Sequence, residues 1–117
     1  MKRDIAIYPD DMLESIKLIV LYLDNSSEDD FNRTTQLHDA ILHRIQIIGE
    51  AAKQVPEEYR DRWSQIPWRD IAGMRDIIVH EYSGITLAMI WKLAVEDIPV
   101  LKSQITSILK EIQKSDS

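Results

Sequence analysis

The C-terminal third of the chain carries a spacing that admits one kind of secondary structure. Leu87, Trp91, Ala94, Ile98, Leu101, Ile105, Ile108 and Ile112 follow one another at alternating steps of four and three. That heptad rhythm keeps one face of a helix apolar over several turns, whereas a half-buried strand would need alternation at every second residue. No segment of the sequence shows such alternation. Pro99 interrupts the seam. The seam therefore reads as two helices or one kinked helix, with Asp97 placed to cap the second part.

The same rhythm runs through the rest of the chain. After Pro9, the stretch Asp10 to Asp24 puts Met12, Leu13, Ile16, Ile19, Val20 and Leu23 on one face, with Asp10 or Asp11 as its N-cap. The polar segment 25–30 reads as a connection holding at most a turn of helix. Leu37, Ile41, Ile45, Ile48 and Ala52 predict a long helix over Thr34 to Gln54, whose apolar face Ile47, Gly49 and Ala51 widen. A glycine inside a helix costs about 1 kcal/mol relative to alanine. Gly49 therefore predicts that another backbone comes close there. Pro56 to Trp63 reads as a short helix, Ser64 to Pro67 as a break, and Trp68 to Glu81 as a third long helix stopped by Ser83-Gly84. The expectation is an all-α fold, an antiparallel bundle of four to five helices forming a single domain over residues 1–117.

Composition narrows the function classes. The absence of cysteine removes zinc ribbons, thiol catalysis and disulfide staples together. Fourteen basic against twenty acidic residues, a net charge of -6, argue against a protein that works by blanketing nucleic-acid phosphates. An RNA contact in such a chain must be local, a small basic rim drawn from Arg33, Arg44, Arg69 and Arg75, with activity that falls steeply with salt. The sequence shows no apolar run of signal-peptide or membrane-spanning length, so a soluble, cytoplasmic protein with no membrane partner is expected.

Chemistry concentrates in Arg75-Asp76-Ile77-Ile78-Val79-His80-Glu81-Tyr82, at the end of an apolar helix. Histidine can move protons both ways near neutrality, and arginine offers a permanent forked donor to phosphate oxygens. Together they suit phosphodiester chemistry. On one continuous helix Arg75 and His80 lie about 140° apart, whereas Arg75 and Tyr82 lie about 20° apart. Either the helix loosens before Gly84 and turns His80 inward, or the Arg75 side chain swings round, or the pair is completed across a symmetric dimer. Spacing alone equally fits surface charges at Arg75 and Asp76 and a hydrogen-bonded histidine at a helix C-terminus.

The string Arg75-x4-His80-x-Tyr82 resembles the RX4HXY signature of the HepT-type HEPN ribonucleases, the toxin halves of prokaryotic toxin-antitoxin pairs. The resemblance extends over about residues 5–113. It includes Arg44-Ile45-Gln46-Ile47-Ile48-Gly49-Glu50-Ala51-Ala52-Lys53, Ile66-Pro67-Trp68-Arg69-Asp70-Ile71 and Asp97-Ile98-Pro99-x-Leu101, in the family's order. It implies a HEPN-like bundle and a metal-independent endoribonuclease without cofactor, with Arg75 and His80 catalytic in a homodimer cleft. It also implies a nucleotidyltransferase-type antitoxin that attaches AMP to Tyr82. The family often has asparagine after the arginine, where this chain has Asp76. An acid there either supports the site, by orienting Arg75 or raising the pKa of His80, or repels the substrate phosphate.

The remaining candidates read as structural. His38 and His43 are five apart, not the four that would pair them as metal ligands on a helix, and no H-E-x-x-H occurs, so no metal site is expected. Glu50 either lines the cleft or pairs with Lys53 or Arg44. Trp63, Trp68 and Trp91 sit beside apolar positions and read as core. The competing reading of the whole chain is a non-catalytic helical partner that dimerises through the heptad seam and, as a substrate-binding subunit, presents substrate to a nucleotidyltransferase without cutting RNA itself.

Overall fold

The computed structural model describes the backbone of residues 3–80 and 86–116; the side chains of Arg3, Ile77, Val79, His80, Ser115 and Asp116 lie outside that description. A 3-10 turn, Arg3–Ala6, leads into α1 (Ile7–Tyr22), α2 (Glu28–Arg33), α3 (Thr35–Gln54), α4 (Glu57–Arg62) and α5 (Trp68–His80). After the undescribed residues 81–85 come α6 (Leu87–Lys92), a π-wound turn (Leu93–Asp97) and α7 (Ile98–Asp116). The fold is an all-α bundle dominated by four long helices, α1, α3, α5 and α7. Of the shorter helices, α4 falls where a short helix was expected and α6 in the first part of the seam, while α2 is an addition.

Three local expectations change. The first helix starts at Ile7, so Pro9 sits inside its first turn, and neither Asp10 nor Asp11 caps it. Proline is tolerated there because the first-turn N–H groups have no intrahelical acceptor anyway. The polar segment holds more order than a connection. Ser27 accepts from the Asp30 backbone N–H at 3.1 Å while its own N–H donates to Asp30 Oδ2 at 3.0 Å, a capping box that opens α2. The Ser27 bonds hold the Asp30 carboxyl below its ordinary value. Finally, Asp97 lies within the π turn, not at a helix start. Pro99 has no N–H to give and its ring crowds the carbonyl four residues back, so the widened turn lets the helix continue without breaking.

The core is the merger of the predicted apolar faces. Met12, Ile16 and Ile19 of α1, Ile41 of α3 and Ile105 of α7 are fully buried, with Ile45, Ile48, Ala52, Ile78, Ile98 and Ile108 close behind. Burying a side chain of this size contributes about 1.5–3 kcal/mol. Val20, assigned to the inner face of the first helix, is exposed instead. Phe31 of α2 plugs the gap between α3 and α6. Its ring lies 4.9 Å from that of His38 and 5.6 Å from that of Trp91, and its carbonyl bonds His38 Nε2.

The start of α5 is fixed by the tryptophans. Trp63 and Trp68 are buried, and Trp68 Nε1 donates to the Trp63 carbonyl at 3.1 Å. Arg62 and Trp63 Nε1 both donate to Glu111 of α7, and Gln104 donates to the Gln65 carbonyl, so the turn before α5 is tied to the last helix. These bonds set the axis along which Arg75 is presented.

Candidate functional site

Arg75 sits where α5 crosses α3, and the crossing is close because of Gly49. An ideal Cβ built on Gly49 would lie 2.3 Å from Arg75 Cβ and 3.1 Å from both Arg75 Cγ and the Ile71 carbonyl oxygen. The close backbone approach expected at Gly49 is therefore present, and Arg75 is the residue it meets. The stem of Arg75 is clamped by the crossing while its guanidinium emerges into a groove of about 530 Å³. Tyr8 and Asp11 from the start of α1 and Ile47, Glu50, Ala51, Lys53 and Gln54 from the end of α3 complete that groove.

The charged side chains around Arg75 form one connected set. Arg75 NH2 lies 3.5 Å from Glu50 Oε1, Arg75 NH1 donates to Asp76 Oδ1 at 3.2 Å, and Lys53 Nζ reaches the same Asp76 oxygen at 2.7 Å. The Lys53 bond, followed by the Arg75 bond, holds the Asp76 carboxyl below its ordinary value, so it is an anion throughout the neutral range. Arg75 Nε is buried and has no hydrogen-bond partner among the described residues. A guanidinium whose NH1 and NH2 lie on carboxylates beside an open groove can engage an incoming phosphate by exchanging partners.

The sequence candidates separate as follows. Arg75 and Asp76 are together in the groove network. His80 is the last residue of α5, and its side chain lies outside the described residues, as does the whole of Tyr82. The helix is continuous from Trp68 to His80, so the Cα directions of Arg75 and His80 differ by about 140°. Glu50 does line the groove, but it pairs with Arg75 and not with Lys53 or Arg44. Lys53 crosses instead to Asp76 on the neighbouring helix.

Of the four arginines expected to make a basic rim, only Arg75 lines this groove. Arg69 lines a separate one with Arg60, and Arg33 lies near Asp29 on α2. His38 is spent on the Phe31 carbonyl. Among the described residues no group of three or more His, Asp or Glu side chains is placed to hold a metal ion.

Tyr8, Asp11 and Gln54 escaped the sequence reading. Tyr8 and Asp11 stand more than sixty positions from Arg75, and no local pattern marks them; Lys53 and Gln54 are one turn beyond Gly49 and Glu50, a spacing that would have placed them on the same wall.

A family model described as Ribonuclease HepT-like matches residues 12–108. The chain is 44% identical over 98% of its length to the "Gamma-glutamylcyclotransferase and putative RNase" of Methanocaldococcus jannaschii, of which it spans about half, 52%. It is 36% identical over 94% of its length to the "Probable ribonuclease HepT" of Thermococcus cleftensis, covering 100% of that protein. A third relative, an RNase by name from Caldanaerobacter subterraneus subsp. tengcongensis, is 36% identical over 89% of this chain and 93% of its own. No solved structure matches the chain.

Proposed function

Because this chain belongs to the HepT-like ribonuclease family, we propose that it is a metal-independent endoribonuclease and the toxin of a toxin-antitoxin pair, with Arg75 and His80 as its catalytic residues. The observation that supports this most is Arg75, clamped at its stem by Gly49, with the NH1 and NH2 ends of its guanidinium resting on carboxylates beside an open groove. The His80 imidazole takes the proton from a ribose 2′-OH, whose oxygen attacks the adjacent phosphorus. Arg75 donates to the phosphoryl oxygens as charge builds on them, and the bond to the 5′-oxygen breaks. A protonated imidazole returns a proton to that oxygen, leaving a cyclic phosphate and a 5′-hydroxyl. DNA has no 2′-OH and is spared.

A homodimer fits this division of labour. The Cα positions of Arg75 and His80 lie about 140° apart around one continuous helix. A cleft between two copies brings the Arg75 of one toward the His80 of the other and supplies separate acid and base. Tyr82 is the proposed acceptor of AMP. Its oxygen attacks the α-phosphate of ATP held by a nucleotidyltransferase-type antitoxin, and pyrophosphate leaves. The resulting phosphodiester, two residues past His80, occupies the place of the RNA phosphate and neutralises the enzyme without unfolding it.

Induced expression of the chain alone tests the nuclease, comparing wild type with His80→Ala while growth and RNA integrity are followed. Arrest and RNA cleavage that vanish in His80→Ala are expected. Adding the partner should raise the intact mass by whole AMP units, and Tyr82→Phe should abolish the increase. Equal, harmless behaviour of folded wild type and His80→Ala would overturn the nuclease and favour a non-catalytic partner subunit.

A further inference from the structure

Asp76 places a carboxylate beside the arginine that must receive a phosphate, and the network around it contains its remedy. Glu50, Lys53, Arg75 and Asp76 sum to zero charge. Without Lys53 the same set would carry a net negative charge, and Asp76 Oδ1 would keep Arg75 as its donor among the described residues. The geometry points to Lys53 as a positioning residue of the Arg75 groove: its ammonium occupies Asp76 and leaves the Arg75 guanidinium available to substrate phosphate. Two features of the placement support the assignment.

Lys53 approaches Asp76 at 2.7 Å, nearer than Arg75 at 3.2 Å, so the lysine is the closer claimant on the shared oxygen. Lys53 also comes from α3, one turn beyond Glu50, so a single helix supplies one carboxylate to Arg75 and the cation that screens the other. The role rests on RNA entering this groove, as proposed above. It makes Lys53 and Asp76 a compensating pair: the lysine is required because position 76 is acidic.

The test is a fluorescence-anisotropy titration of the full chain with a labelled 2′-O-methyl RNA oligonucleotide, which lacks the nucleophilic hydroxyl and stays intact. Lys53→Ala should weaken binding about five- to ten-fold at low salt, the scale of one charge a few ångströms from a phosphate in a water-like dielectric. That deficit should shrink as salt rises. Lys110→Ala, which removes the same charge from an exposed position on α7 outside the groove, should change binding by less than about two-fold. Asp76→Asn should tighten binding, and Lys53→Ala with Asp76→Asn should bind at least as well as wild type. With cleavable RNA, Lys53→Ala should raise KM and leave kcat in place.

A double variant as weak as Lys53→Ala, a Lys53→Ala effect no larger than that of Lys110→Ala, or a wild type that does not bind would each overturn the role. Lys53 is exposed and Asp76 half-buried, and thermal melts of each variant check that folding is kept. Cleavage of unmodified RNA by wild type is scored separately. Rescue in the binding series with no cleavage refutes the nuclease and leaves the compensating pair standing; cleavage without rescue does the reverse.

Discussion

Replacing Gly49 by alanine probes the contact on which the placement of Arg75 depends. The added methyl would lie 2.3 Å from Arg75 Cβ, a separation that two carbons cannot share, and the obstructing atom is the rigid root of the arginine rather than its tip. The helices must part or tilt by roughly an ångström, and overpacking of this severity costs about 3 kcal/mol. Alanine returns about 1 kcal/mol through its higher helix propensity. The net loss is then about 2 kcal/mol. A chain of this length has an unfolding entropy near 0.25 kcal/mol per kelvin, so the melting temperature should fall by about 8 °C.

Gly73 on α5 is the internal control, because a Cβ there meets nothing within 4 Å. Gly73→Ala should raise the melting temperature by about 2–4 °C through propensity alone. Calorimetry of the three proteins reads both shifts, and RNA cleavage reads the displacement of Arg75, for which about a hundred-fold loss in Gly49→Ala is the expected scale. A Gly49→Ala protein as stable as Gly73→Ala and fully active would refute the claim that this crossing positions the arginine.

Asp76 has a folded pKa below its ordinary 3.8 because Lys53, and then Arg75, bond its charged form. Its contribution to stability is therefore present above the unfolded value and is lost as pH falls through the folded one. Carboxyl NMR titration should find Asp76 below the ordinary aspartate range, and Lys53→Ala should bring it back up. Glu111→Ala removes the acceptor of Arg62 and of the buried Trp63 indole N–H, and should cost about 1–2 kcal/mol in denaturant unfolding, with a change in tryptophan fluorescence. Ser27→Ala removes one half of the capping box and should cost about 1 kcal/mol, read as a lower urea midpoint with an unchanged m-value.

Much of the bundle was legible because helical periodicity is a local property that burial then amplifies. The heptad seam from Ala94 to Ile112 is buried at every position named for it, and the long helix through Gly49 ends at Gln54 as its spacing predicts. Expectations failed at helix ends and beside prolines, where short-range geometry has several near-equal solutions. Pro9 reads as a boundary but sits within a first turn, and Asp97, expected to cap a helix before Pro99, lies inside a π turn instead.

The sequence by itself determined the helical class, the apolar faces, the close approach at Gly49 and the Arg75-Asp76 pair, all of which follow from spacing within one element or from the chemistry of single residues. Only the tertiary structure decided which backbone meets Gly49, that Glu50 pairs with Arg75, that Lys53 takes Asp76, and that Tyr8 and Asp11 close the groove. Those pairings join residues on different helices. The angle and depth at which two apolar stripes pack fix them, and no short-range pattern encodes that crossing.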